Sequence, residues 1–455
     1  MNKIPVIAIF DVGKTNKKLL LFNEQYELVQ EDSRPMDEIT DEDGFPCDDV
    51  QALTAWIRES YSRLLSSQQY EIKGINFSGY GASFVYIGSD GRVMLPLYNY
   101  LKPYPKPLLD KFYTKYGGED FVASQTASPV LGSLNSGMQV YRLKEERPDV
   151  FSHVIAALHL PQYLSYVMTG ALHTDITSIG CHTNLWDFTQ QHYHRWVTEE
   201  NIELKFPALK DCTELAGYTK EGIPVGTGLH DSSAALIPYL ASFTEPFVLL
   251  STGTWCITLN PFNPRPLSIS ELKSDCLCYL TYKGRPVKAS RLFAGNEHEQ
   301  QVKRLSVHYQ KEVDYYKTVQ ADPLLLRKYL PDFDGLGKDL EGYLPVESVF
   351  ADRDLADFAS YEEAYHLLIA DLMVLQVQSS WLVMKDTAVH KIFVDGGFSK
   401  NPIYMQLLSA AFPEMEVYAA TVAQASSLGA AMAIHSLWNK QSLPASLVQL
   451  KMYGH

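Results

Sequence analysis

Apolar runs broken by glycine appear twice along the chain. Val6–Asn23 (VIAIFDVGKTNKKLLLFN) and Pro246–Pro261 (PFVLLSTGTWCITLNP) each read as a strand, a small polar break and a second strand. The breaks are Asp11-Val12-Gly13 and Ser251-Thr252-Gly253. A strand that reverses over glycine and small polar residues lines up backbone N–H groups without bulky side chains in the way, which suits oxyanions such as phosphate. Two such hairpins facing each other would clamp one polyphosphate. Leu53, Trp56, Ile57 and Leu64 recur at helical spacing behind Asp48-Asp49, whose carboxylates favour a helix N-terminus. Ile72–Phe77 (IKGINF) reads as a strand ending in Ser78-Gly79-Tyr80-Gly81, and the same punctuation recurs in Lys391–Ser399 (KIFVDGGFS). Helices are expected around Leu108–Tyr116, Ser136–Arg147 and Pro161–Thr169, and over Tyr361–Lys385; Ser268–Lys288 alternates like strands. Gln424–Ile434 (QASSLGAAMAI) is a small-residue helix able to lie close to another backbone. Because α and β signals alternate on both sides of residue 242, the expected organisation is two α/β domains, 1–242 and 243–455, with the active site in a cleft between them.

Composition narrows the partners. The chain has 455 residues, 46% hydrophobic and 20% charged, enough for two globular cores. A net charge of −14 argues against a nucleic-acid face and points to small-molecule ligands. No run approaches about eighteen uninterrupted apolar residues, so no membrane span is expected. Lys3 followed by Ile4–Phe10 faintly resembles a secretory leader, but Asp11 ends the apolar run too early. Six cysteines are too sparse for a disulfide framework, which suits a reducing, cytoplasmic setting; Cys276 and Cys278 read as structural. His192 and His194 are expected in a solvated turn. Apolar helix faces are compatible with a homodimer.

Gly13-Lys14-Thr15 is not a P-loop, because the position five before Gly13 is Ala8 and a strand pattern follows where a helix is needed. In a hairpin, Asp11 suits a hydrated Mg²⁺; its alternative is a turn carboxylate bonded to local N–H groups. Asp231, in Gly228-Leu229-His230-Asp231-Ser232, stands at a strand-to-helix turn where it can accept a proton from a substrate hydroxyl; taken in isolation, such a residue is more often a helix N-cap. The paired glycines of Asp395-Gly396-Gly397 allow a flat ligand against backbone, or simply a tight crossover.

Taken in this order across Val6–Ile434, the two hairpins, the His-Asp turn, the Asp-Gly-Gly turn and the small-residue helix resemble the FGGY family of carbohydrate kinases. The resemblance implies two actin-like ATPase (ribonuclease H-like) domains and transfer of phosphate from ATP, with Mg²⁺, to a sugar hydroxyl. It implies Asp11, Gly13, Lys14, Thr15, Asn16 and Lys17 at the phosphates, with Asp11 at the metal and Asp231 as the base. Thr252, Gly253 and Thr254 would hold the β- and γ-phosphates, Gly396, Gly397 and Asn401 would border the adenosine, and Asn296 would approach the nucleotide. Ser78, Tyr80, Gly81, Ala82 and Ser83, with Asn99 and His230, are nominated for the sugar. The His230-Asp231 pair and Gly253-Thr254-Trp255 look most similar to the L-rhamnulose and L-fuculose kinase branch, so a deoxyketose is the expected substrate. Lys14 and Gln424 stand where relatives carry Thr or Ser and Glu, and Leu95–Pro105 lacks the Asp and Arg of related sugar sites. A pseudokinase or an actin-like sensor that binds without transferring phosphate is the alternative.

Overall fold

A computed structural model describes residues 3–14, 16–336, 348–422, 424–444 and 447–453. The chain forms two compact units, one comprising Met1–Ser242, Cys278–Pro286 and Ala423–Leu447, the other Phe243–Leu277, Val287–Val422 and Val448–His455.

The first unit is built on a mixed sheet with the strand order Leu215–Tyr218, Pro224–Gly226, Tyr70–Gly79, Ile4–Val12, Asn16–Asn23 and Leu28–Pro35; Leu229–His230 also pairs with Tyr70–Gly79. The expected hairpin is present: Val12 sits opposite Lys17, and Asp11 opposite Lys18, in antiparallel register. Ile4–Val12 pairs in parallel with Tyr70–Gly79, which places Asp11 beside Ser78. Val6, Ala8 and Phe10 point into a core shared with Trp56, Ile57 and Leu64 from the Val50–Leu65 helix. That helix is capped by Asp49, which accepts from Gln51 N and Ala52 N, leaving Asp48 for another purpose.

At the centre of this unit, Asn76 is fully buried on the middle strand. Its Nδ2 donates to Ala430 O at 2.8 Å, and its Oδ1 accepts from Gly228 N at 3.0 Å. One amide thereby joins the Ala425–Ala433 helix to the loop that precedes His230 and Asp231. The same helix packs against Asp231–Ser242. Contact is close enough that a Cβ on Gly429 would lie 1.8 Å from Ala234 O.

The second unit repeats the scheme. Phe247–Thr252 and Cys256–Asn260 are antiparallel, and Phe247–Thr252 pairs in parallel with Lys391–Gly396, with Thr252 in register with Gly396. Pro286–Leu292 extends the sheet on one side, and Glu416–Thr421 and Gln449–Tyr453 extend it on the other. The Tyr361–Met384 helix is long and apolar enough to cross a membrane, but 72% of its most apolar window is buried inside the protein, as befits a core helix. Its Gln376 and Ser379 bond to Thr258 and Ser290 of the sheet.

Two local expectations are revised. Within Ser268–Lys288 the alternating pattern is interrupted by a helix, Ile269–Lys273, because Ser268 and Glu271 form a reciprocal capping box; strands follow at Cys276–Leu280 and Pro286–Leu292. His194 is fully buried rather than solvated, with Nε2 2.8 Å from Gln125 Oε1 and Nδ1 capping the Arg195–Glu199 helix, while His192 is exposed. All six cysteines are buried, and none is in a disulfide.

Candidate active site

Two carboxylates share one open depression in the first unit. Asp11, near the end of its strand, is 9% exposed, and its Oδ2 accepts from Ser426 Oγ and Ser427 Oγ, each at 2.6 Å. Burial raises its pKa; the two serine hydroxyls oppose the rise, and the charge of Asp231 adds to it. Asp231 opens the Asp231–Ser242 helix, and its Oδ1 accepts from Ser232 N at 2.6 Å. Low-dielectric surroundings push its pKa up to about 6 against the bonds from Ser232, yet 35% of the side-chain surface remains open. The depression is completed by Gly13, Lys14 and Asn16 of the hairpin turn and by Lys18, Gln424 and Ser426. Gly13 N donates to Asn16 O at 3.0 Å, closing the turn; Thr15 lies outside the described residues. Ser426 and Ser427 were not legible as partners of Asp11, since the chain separates them by more than 400 positions.

The lysines of the turn are committed elsewhere. Lys14 Nζ donates to Glu38 at 2.6 Å and Asp48 at 2.7 Å, and Lys17 Nζ, its side chain only 2% exposed, donates to Asp48 Oδ1 at 2.8 Å and to Lys14 O. Tyr80 donates to the same carboxylate at 2.8 Å. Thus Lys17 and Tyr80, expected at phosphate and sugar, form a buried brace around Asp48. Burial pushes the Asp48 carboxyl up, but hydrogen bonds from the two ammonium groups outweigh it, and the pKa ends below its ordinary value. A depressed carboxyl pKa gives stability that is present above the ordinary carboxylate range and lost as the pH falls through the folded value. Asp48→Asn should cost about 3 kcal/mol at neutral pH, because Lys17 keeps a buried charge with no counter-ion. Urea unfolding measures this, and an unchanged midpoint would show that the brace is not an ion pair in solution.

The other sugar nominees divide. Ser78 Oγ is buried beside Asp11, and its hydroxyl helps to oppose the rise of the Asp11 pKa. Gly81 lies against His230, where an added Cβ would sit 2.9 Å from Nε2. His230 is 3% exposed, its Nε2 is 3.5 Å from Asp231 Oδ1, and its ring stacks on Tyr279 at 5.6 Å. Ser78, Gly81 and His230 therefore cluster with the two carboxylates. Ala82 and Ser83 turn away: Ala82 O accepts from Gln139 and Ser83 Oγ donates to Tyr98 O. Asn99 holds its own turn, with Oδ1 accepting from Leu101 N, and lines a different pocket with Lys102 and Arg142.

In the second unit, the turn after Phe247–Thr252 is pressed between two glycines. A Cβ on Gly295 would lie 1.8 Å from Gly253 O, and one on Gly396 would lie 1.9 Å from Thr252 O; Gly396 also has φ +89°, which disfavours any side chain. Thr252 Oγ1 donates to Asp395 O at 2.5 Å and accepts from Phe398 N at 3.0 Å, so its hydroxyl ties the Asp-Gly-Gly turn in place. Gly253 and Thr254 are exposed, and Thr254 O accepts from Asn296 N at 3.1 Å. Gly397 N donates to Thr252 O at 2.9 Å. Asn401 caps Pro402–Ala411 and donates to Tyr365 at 2.8 Å, while Asn296 Oδ1 accepts from Gln300. Beside the turn, sequence reading missed Arg291, whose guanidinium lies 5.1 Å from the Trp255 ring centroid and pairs with Asp275 at 2.6 Å.

Residues 6–237 match the N-terminal domain model of the FGGY family of carbohydrate kinases, and residues 244–332 match an FGGY C-terminal domain. The chain belongs to the FGGY family of carbohydrate kinases. Among FGGY relatives, L-fuculokinase of Escherichia coli K12 is 25% identical over 279 residues, 56% of this chain and 57% of the relative. Rhamnulokinase of Bacteroides thetaiotaomicron is 25% identical over 260 residues, 54% of this chain and 53% of the relative. These alignments span little more than half of each relative's length. The fold matches a carbohydrate kinase from Novosphingobium aromaticivorans with a TM-score of 0.80 at 22% identity, over 100% of this chain and 95% of that one. A xylulose kinase from Lactobacillus acidophilus gives 0.80 at 18% identity, over 99% and 94%. The two-domain α/β architecture expected from the sequence is thus the FGGY fold.

Proposed function

We propose that this FGGY protein transfers the γ-phosphoryl group of ATP to a hydroxyl of a small ketose, with Asp231 as general base. The observation that carries the reading is the shared depression of Asp11 and Asp231, in which the second carboxylate is solvent-accessible and poised near pH 6. The Asp231 carboxylate takes the proton of the sugar hydroxyl; that oxygen attacks the γ-phosphorus, and the bond to the β–γ bridging oxygen breaks to leave ADP. Two carboxylates in one open depression fit the preference of hydrated Mg²⁺ for one or two acidic ligands plus waters, and Asp11 is the residue that would hold it. Bound there, the ion would neutralise phosphate charge. Held by Ser426 and Ser427, Asp11 is fixed in orientation before any ligand arrives.

In this reading the first unit handles sugar and base, and the exposed Gly253-Thr254 turn of the second handles nucleotide phosphates, with Gly396, Gly397, Asn296 and Asn401 shaping its surroundings. Gly295→Ala, whose Cβ would collide with Gly253 O, should shift this turn by about an ångström and reduce kcat/KM for ATP on the order of 100-fold. Steady-state kinetics test it, and wild-type values would remove the turn from the site.

A deoxyketose such as L-fuculose or L-rhamnulose is favoured by the curated relatives named L-fuculokinase and rhamnulokinase. ADP production across a panel of ketoses and polyols tests both activity and substrate; no turnover with any member would favour a binding protein without phosphoryl transfer. For an active enzyme, kcat/KM should fall as the pH drops through about 6, tenfold per unit below it, because protonation removes the base. A profile flat to pH 5 would exclude Asp231 from that role.

A further inference from the structure

His230, next to the proposed base and grouped above with the sugar-side residues, meets two donors that the proposed transfer does not use, Cys181 and His182. Cys181, His182 and His230 each offer one donor atom, all within 4.8 Å of one another and all on buried residues. Gly81 makes this approach possible: the point where its Cβ would stand is 2.9 Å from His230 Nε2 and 3.2 Å from Cys181 Sγ. A side chain there would fill the space between the nitrogen and the sulfur. Asp231 Oδ1, 3.5 Å from His230 Nε2, borders the same space.

We infer that Cys181, His182 and His230, with Asp231 as an accessible fourth ligand, form a binding site for a thiophilic divalent cation of the zinc class. One thiolate, two imidazoles and a carboxylate are the donor types zinc takes in tetrahedral coordination. Tetrahedral zinc holds such donors about 3.4–3.8 Å apart, so the cluster closes by side-chain shifts of roughly an ångström. His182 already makes the second contact common to metal-bound histidines: its Nδ1 is 3.1 Å from Leu134 O, and since a carbonyl only accepts, the proton is on Nδ1 and Nε2 is the nitrogen that would turn to a metal. His230 is buried, and its Nδ1 has no hydrogen-bond partner among the described residues. Hard Mg²⁺ prefers oxygen ligands and waters, so the two ions would be sorted by donor type, Mg²⁺ to Asp11 and zinc to the sulfur–nitrogen cluster. The site itself stands on geometry alone. Its consequence, that zinc captures Asp231 and inhibits the enzyme, rests on the function proposed above.

Co²⁺ is the probe, titrated into the reduced full-length protein in the presence of excess Mg²⁺. The expected result is saturation near one equivalent, with a thiolate-to-cobalt charge-transfer band in the near ultraviolet and the strong visible bands of tetrahedral cobalt, both displaced by Zn²⁺. Cys181→Ser should lose the charge-transfer band, and Cys212→Ser, altered at a buried cysteine outside the cluster, should keep it. A wild-type protein without the band, or a Cys181→Ser protein that retains it, would overturn the site. His182→Gln provides a second variant should Cys181→Ser fold poorly; it should lose the tetrahedral visible bands, and their persistence would likewise count against the assignment. The inhibitory consequence is read separately, as loss of ketose-dependent ADP production on adding Zn²⁺ to wild type but not to Cys181→Ser. Cobalt spectra as expected from a protein with no kinase turnover would leave the site in place and remove the proposed function.

Discussion

Asp231→Asn is expected to reduce ketose phosphorylation by about 10²–10⁴-fold while ATP and sugar still bind. The amide keeps the shape of the side chain and can still accept from Ser232 N, but it cannot take a proton. The same change should leave the fold as stable as wild type at neutral pH, or more so. A carboxyl whose folded pKa is raised to about 6 disfavours folding once ionised, and this penalty develops as the pH rises from the ordinary value of 3.8 through 6. With a third of the side chain open to screening, the relief is on the order of 1 kcal/mol. Removing Asp231 also removes the negative charge that pushes the Asp11 pKa upward. Lost turnover with retained or increased stability is the pattern of a group kept for chemistry at the expense of the fold. Kinetics, calorimetric binding and thermal melts on one preparation give all three readouts; undiminished turnover would end the base assignment.

Gly429→Ala should be the most damaging small substitution in the first unit. Its Cβ would lie 1.8 Å from Ala234 O and 2.6 Å from the Ala234 carbonyl carbon, and backbone atoms have no rotamer by which to yield. The Ala425–Ala433 and Asp231–Ser242 helices must therefore separate, at a cost near 3 kcal/mol for a forced fit. That lowers the melting temperature by roughly 6–12 °C. Turnover should fall as well, because one helix carries Ser426 and Ser427 to Asp11 and the other begins with Asp231. A melting temperature within a degree of wild type would mean that the helices are not in this contact in solution.

Features encoded locally were legible in the sequence. The hairpins at Val6–Asn23 and Pro246–Pro261 follow from apolar runs and glycine breaks, and the long helix at Tyr361–Met384 follows from its apolar content and length. Misreadings arose where one residue type serves two purposes. Asp48 and Asp49 look alike as helix-capping acids, but only Asp49 caps; Asp48 turns inward to Lys14, Lys17 and Tyr80, partners brought to it by strand register and sheet packing. Lys14 invites a phosphate reading that its bonds to Glu38 and Asp48 do not require. Ser268 and Glu271 turned an apparently alternating stretch into a helical turn because a reciprocal cap outweighs two or three residues of pattern. Ser426 and Ser427 could not have been matched to Asp11 from spacing, since their meeting depends on Gly429, Ala234 and Asn76 packing together from distant parts of the chain.

That return of the chain bears on how the protein can be made. The Ala425–Ala433 helix is synthesised late but belongs to the unit that starts near Met1. During translation the early strands must wait, with Asp11 short of its two hydroxyl donors and the Asp231–Ser242 helix uncovered on one side, until the whole second-unit core and the Ala425–Ala433 helix have emerged from the ribosome. A recombinant fragment stopped after Ser242 would inherit the same deficit permanently, and supplying the missing helix as a fused segment should restore its solubility.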